Sequence, residues 1–214
     1  MNKPQATSRV LWLLVLLISV SLAVTWLMPD FRNEPEMTPW IIARASGVTA
    51  FVLLTLLTLL GLVMASVPNR EQWRATRILL PLHRLLSLYL IGFIAVHVVS
   101  ITLDAFAHVG IEAIFVPMMS GYRPVFVSLG TLALYAIVLL AVTARFPRLL
   151  PSGRWLTVHR VALITFVLTL LHGVLTGSDT PSLRWLYEIS AFLVALMSLI
   201  RYAIIGHKRA PKPS

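Results

Sequence analysis

The chain contains no cysteine, which excludes disulfides, thiolate metal sites, iron–sulfur clusters and covalently attached c-type haem together. Metal chemistry on this chain must use histidine, methionine or oxygen ligands. Charge is scarce too: only 12% of the 214 residues are charged, and acidic residues number 8 against 18 Lys and Arg. What fills the space is apolar. Hydrophobic residues make up 58% of the chain and the mean hydropathy is +0.86, while the apolar runs approach or exceed the ~20 residues that cross a bilayer. The sequence therefore reads as an all-α integral membrane protein. A net charge of +10 invites a nucleic-acid reading, but the basic residues stand at the ends of apolar runs, where topology and anionic headgroups account for them. The lipid bilayer is the expected partner and nucleic acid is not.

Six spans are expected, at about 10–28, 40–64, 79–103, 124–146, 155–176 and 183–205, in one transmembrane domain over 1–214 with a flexible basic tail at 206–214. Val10–Met28 is uncharged and lacks a small-x-small cleavage site before Pro29, so it reads as a retained span and not as a signal peptide. Trp40 is placed like an interfacial anchor, with Arg44 one turn further in. Between Asp104 and Tyr122, the residues His108, Gly110, Glu112, Pro117 and Gly121 break up short apolar runs, the pattern of a loop carrying a short interfacial helix. Placing the N-tail, the 65–84 and 145–160 connectors and the C-tail together in the cytoplasm gives that side fourteen of the eighteen Lys and Arg residues. The positive-inside rule then sets both termini in the cytoplasm.

Four histidines fall inside these spans: His83 and His97 on the third, His159 and His172 on the fifth, and each span opens with the dipeptide His-Arg. An ionisable side chain at membrane depth is costly unless ligated or hydrogen-bonded, and so marks function. The two spans run in the same direction, which places His83 and His159 toward the inner side and His97 and His172 toward the outer side. The two levels are roughly 20 Å apart along each helix. Two opposed imidazoles with no carboxylate or thiolate beside them suit a planar haem iron held from both faces, whereas zinc would require two further ligands. At ~100° per residue, the spacing of fourteen brings His83 and His97 within about 40° of one face, but the spacing of thirteen leaves His159 and His172 about 140° apart. The fifth span must bend or tilt for both to face the same partners. Arg84 and Arg160 beside the inner pair, and Arg44 and Arg123 toward the outer side, are candidate partners for haem propionates.

Plainer readings exist for the neighbours. His108 and His207 sit in a loop and a tail as ordinary solvated residues, and Met118 and Met119 suit apolar interfacial contact better than axial ligation. Gly173 and Gly177 form a GxxxG that helix packing explains as well as haem clearance does. The small-residue face Ala43, Ser46, Gly47 and Ala50 is either a packing seam or room for a macrocycle.

The pattern His83-x13-His97 and His159-x12-His172, with the His-Arg doublet opening each span, resembles the ferric reductase-like transmembrane domain. That domain is shared by ferric reductases, NADPH oxidases and the haem-binding subunit of periplasmic methionine sulfoxide reductase. The resemblance covers roughly residues 40–205, and Gly121-Tyr122-Arg123-Pro124 looks like the Arg-Pro entrance of bacterial members. It implies a six-helix core with two stacked b-type haems, His83 with His159 on the inner one and His97 with His172 on the outer one. The position matching His83 is usually arginine in the methionine sulfoxide reductase subunits, so the histidine here favours a complete two-haem wire.

The expected function is transmembrane electron transfer, as an oxidoreductase component of cytochrome b type. No Gly-rich βαβ pattern follows the sixth span, so the electron is expected to come from a separate donor, a flavoprotein reductase or a quinol. The acceptor is open among ferric chelates, oxygen and a periplasmic enzyme. Two rivals stand beside this reading: a quinol-linked haem b anchor for a periplasmic reductase, and a haem-free transporter or scaffold that uses the histidines for packing or proton relay.

Overall fold

The computed structural model describes residues 37–67, 74–105, 107–152 and 154–205; the expected first span at 10–28 and the basic tail lie outside them. All regular structure among the described residues is helical. The order is α1 (Thr38–Ser66), α2 (Thr76–Leu103), a single turn α3 (Glu112–Phe115), α4 (Pro124–Arg145), a 3-10 turn (Pro147–Leu149), α5 (Trp155–His159), α6 (Ala162–Thr176) and α7 (Thr180–Leu199), which runs into a π turn at Ile200–Ile205. Five helical stretches are long and apolar enough to cross a bilayer: Thr38–Ser66, Thr76–Leu103, Pro124–Arg145, Trp155–Thr176 and Thr180–Ala203. They correspond to five of the six expected spans. The chain is a multi-pass membrane protein, and a short helix, α3, lies between Asp104 and Tyr122, where one is expected.

The helix starts follow from proline chemistry. Pro39, Pro124 and Pro181 each lie in a first turn, where a missing N–H costs nothing and the fixed φ favours the helix. Arg123, directly before Pro124, adopts the left-handed conformation at φ 41° and ψ 60°, outside the extended region that a residue preceding proline usually takes. Holding a non-glycine residue there costs on the order of 1–3 kcal/mol, and the strain aims Arg123 back across the helix ends. Pro81 lies inside α2 two residues before His83 and removes one rung of the helical ladder there.

Many hydroxyls in the spans are satisfied locally. The hydroxyls of Ser46, Thr55, Thr58, Ser128, Thr143, Thr165 and Thr169 each donate to the carbonyl four residues earlier, as an environment without water demands. The helices pair as α1 with α2 and α4 with α6, and α1 also touches α6 and α7. Phe51, Phe166 and Tyr187 form the aromatic centre of the core together with Leu62 and Val194. The Phe51 ring lies 6.0 Å from Phe166 and 5.0 Å from Tyr187, centroid to centroid. Leu88, Val99 and Phe192 point outward, as lipid-facing residues do.

The fifth expected span differs from a continuous helix. It is interrupted at Arg160–Val161, between its two histidines, so that α5 ends on His159 and α6 begins at Ala162. The backbone tightens across the break: Val161 N–H donates to the Val158 carbonyl and Leu163 N–H to the Arg160 carbonyl, three residues back instead of four. Each residue in such a turn advances about 120° instead of about 100°. This local distortion lies where the thirteen-residue spacing requires one.

Candidate functional site

The helices bring the four histidines together in two pairs. His83 of α2 faces His159 of α5 with ring centroids 6.2 Å apart and planes at 65°. His97 of α2 faces His172 of α6 at 6.4 Å and 83°. A metal ion between two imidazoles lies about 2.0–2.1 Å from each nitrogen, taking zinc as the guide. A ring nitrogen stands roughly 1.1–1.2 Å from its ring centre at ordinary bond lengths. Two imidazoles sharing one metal should thus have centroids about 6.2–6.6 Å apart, and both pairs fall in that range. Among the described residues, no group of three or more His, Cys, Asp or Glu gathers at either level, so the donor set at each is two imidazoles.

At the His97 level the two rings are seated alike. The Nδ1–H of His97 donates to the Ala43 carbonyl at 2.7 Å, and that of His172 donates to the Phe126 carbonyl at 3.0 Å. A carbonyl only accepts, so the proton of each neutral ring resides on Nδ1 and the lone pair on Nε2. Metal-bound histidines carry this kind of second hydrogen bond. Four residues beyond each carbonyl, one turn along the same helix, stands a glycine. A methyl group at Gly47 would come within 2.9 Å of His97 Nδ1, and one at Gly130 within 2.7 Å of His172 Cε1 and Nδ1. Only glycine lets the ring reach the helix carbonyl, so the seat is a carbonyl at one position and no side chain four residues later. Gly61, fourteen residues after Gly47 on α1, stands against His83, with 3.8 Å between the position of a Cβ there and His83 Cε1. The glycine spacing on α1 thus matches the histidine spacing on α2.

A cavity of about 210 Å³ opens between these helices, lined by His97, His172, Gly47 and Gly130 and by apolar side chains including Leu54, Leu90 and Leu134. This is far above the roughly 10–15 Å³ that one water molecule needs. Its polar rim ties three parts of the chain together. Arg44 and Asp179 form a two-pronged ion pair, with Arg44 Nε donating to Asp179 at 2.6 Å, and the guanidinium lies 5.8 Å from the Trp40 ring. Trp40 meets Tyr122 edge to face at 6.1 Å. Tyr122 donates its hydroxyl to the Thr176 carbonyl at 3.1 Å, and Arg123 lies 5.3 Å from the Tyr122 ring while donating to the Leu175 carbonyl at 2.7 Å.

The expected site residues divide as follows. The four histidines meet pairwise, and the small-residue face of α1 supplies the Ala43–Gly47 seat. Arg44 lines the cavity, held by Asp179. Arg123 is exposed and engages the end of α6, and Arg84 and Arg160 are exposed beside the His83 pair. Gly173 makes room for packing: a side chain there would come within 3.1 Å of Tyr187. His108, Met118 and Met119 are exposed in the loop before α4. Sequence reasoning missed Phe126 and Gly130, Asp179, and the stacking of Trp155 on His159. A glycine spacing that repeats a histidine spacing was the available signal for the seats.

Two imidazole pairs stand at separate levels within a bundle of helices long and apolar enough to cross a membrane. The chain belongs to the family of ferric reductase like transmembrane components, whose pattern matches residues 46–170, more than half of its length. The matched stretch contains His83, His97 and His159 and stops two residues before His172. Neither the curated proteins nor the solved structures provide a match. Family membership makes transmembrane electron transfer the general class of function.

Proposed function

We propose that the chain carries electrons across the membrane by way of two b-type haems, one held by His83 and His159 toward the cytoplasm and one by His97 and His172 toward the outer face. The observation that carries this reading is the hydrogen bonding of His97 and His172, whose Nδ1 protons are committed to backbone carbonyls, so that each Nε2 lone pair is available to a metal. When bound, haem supplies a one-electron iron couple. The protein's part is to fix the tautomer and position of each outer ring, to enclose the outer pair in an apolar cavity of low dielectric, and to offer the Arg44 cation on its lining. Arg44, on the lining of the cavity, and Arg123 would be partners for the carboxylates of an outer haem, and Arg84 and Arg160 for those of an inner one. The donor is a separate cytoplasmic flavoprotein reductase or a membrane quinol, and an acceptor at the outer face takes the electron.

Vesicles containing the haem-loaded protein, with dithionite trapped inside and ferricyanide outside, test the function. The protein should speed bleaching of external ferricyanide at least tenfold over protein-free vesicles, and His172→Ala should remove most of that gain. Bleaching by the haem-loaded wild type at the protein-free rate would exclude electron transfer across the membrane.

A further inference from the structure

The two histidine levels are held by different means. At the His97 level each ring is fixed by a carbonyl and a glycine on a long helix. His159 ends α5, a helix of five residues, and the chain breaks from helical geometry immediately after it. A helix this short has no stability of its own, so side-chain contacts must set the direction of the His159 ring. One such contact is with Trp155, one turn earlier on the same face, whose indole lies against the imidazole with centroids 5.1 Å apart and planes only 15° from parallel. The Trp155 indole nitrogen is itself buried, with no hydrogen-bond partner among the described residues. No polar partner among the described residues sets the indole's position, and its contact with His159 is ring against ring.

We propose that Trp155 is a positioning residue that fixes the plane of the His159 imidazole and thereby the angle between the two ligand planes at the inner site. The inference rests on the two-haem reading. The indole touches neither the iron nor any reacting atom; it acts through His159. The relevant angle is the 65° between the His83 and His159 rings. Ligand-ring planes govern overlap with the metal d orbitals, and so the spectrum and potential of a bound haem, one of the means by which a protein tunes such a centre. If Trp155 holds the ring, removing the indole takes away the face against which the His159 plane is set. The second level, seated on α1 and α4, is left as it was.

The test compares wild type, Trp155→Leu and Trp155→Phe by haem content, electron paramagnetic resonance of the oxidised protein and potentiometric titration. In Trp155→Leu both haems should remain, the low-spin signal and midpoint potential assigned to the His83–His159 haem should move, and those of the other haem should not. Trp155→Phe, which keeps an aromatic face, should move them less in the same direction. An inner signal and potential unchanged in Trp155→Leu would overturn the inference. If the leucine variant fails to fold, an unchanged phenylalanine variant overturns it. Wild-type protein without two haems would instead defeat the underlying reading before any variant is compared.

Discussion

His97→Ala and His172→Ala are each expected to remove the same haem, taking the content from two per chain to one, while His83→Ala and His159→Ala should each remove the other. The basis is pairing across helices that sequence order does not make obvious. His97 meets His172, 75 positions away, and its helix neighbour His83 meets His159. Each variant deletes one of only two side-chain donors at its level, and no third His, Cys, Asp or Glu among the described residues completes either set. Changes to the hydrogen-bonding shell of a metal site alone cost roughly 10–100-fold in affinity, and loss of a donor should cost more. The two levels can be followed separately by their potentials. Loss of different haems in His97→Ala and His172→Ala would overturn the pairing.

The second large effect is expected at Gly130. Alanine there should favour α4 by about 1 kcal/mol through helix propensity, yet its methyl group would lie 2.7–3.0 Å from three atoms of the His172 ring. The ring cannot yield freely, because Nδ1 is bonded to the Phe126 carbonyl on the turn before. Overpacking of this kind costs about 1–3 kcal/mol, which corresponds to a roughly five- to 150-fold weaker hold on the outer haem. Gly130→Ala should therefore lose its outer haem on dilution, and its apoprotein should not show the gain in stability that helix propensity alone would give. Gly61→Ala provides the internal control: a methyl there would sit 3.8 Å from His83, an ordinary contact, and the inner haem should stay. Equal retention of both haems in Gly130→Ala would refute the seat.

The spans were legible because apolar length is a local property, and helices formed where proline and charge delimit the runs. The histidine levels were legible because spacing and direction along a helix are arithmetic. That arithmetic also exposed a conflict in the thirteen-residue spacing of His159 and His172. The structure meets the conflict with a change of backbone that no single residue announces: the interruption at Arg160–Val161, with its three-residue hydrogen bonds. Long-range partners could not be read. Arg44 is placed beside Asp179 by the packing of α1 against the turn before α7, 135 positions away. Gly130 acquires its meaning only when α4 lies against α6. Gly47 was visible as part of a small-residue face, but its use awaited the ring of His97. Trp155 carries no signal of its own in the sequence and gains its meaning only because α5 is a separate short helix with His159 as its last residue.

The seats also bear on how the outer site is built. Each consists of one backbone carbonyl and one glycine a turn later on the same helix, Ala43 with Gly47 on α1 and Phe126 with Gly130 on α4. Such a seat places a hydrogen bond in the apolar interior without adding a polar side chain, which suits a membrane setting.

The most direct measurement of the central claim is haem quantified per chain on the purified protein, together with its reduced-minus-oxidised absorbance spectrum. Two b-type haems per chain, both low-spin, are the expected result; a protein that purifies folded with no b-type signal, or that binds a single haem under saturating haem supply, would contradict the account.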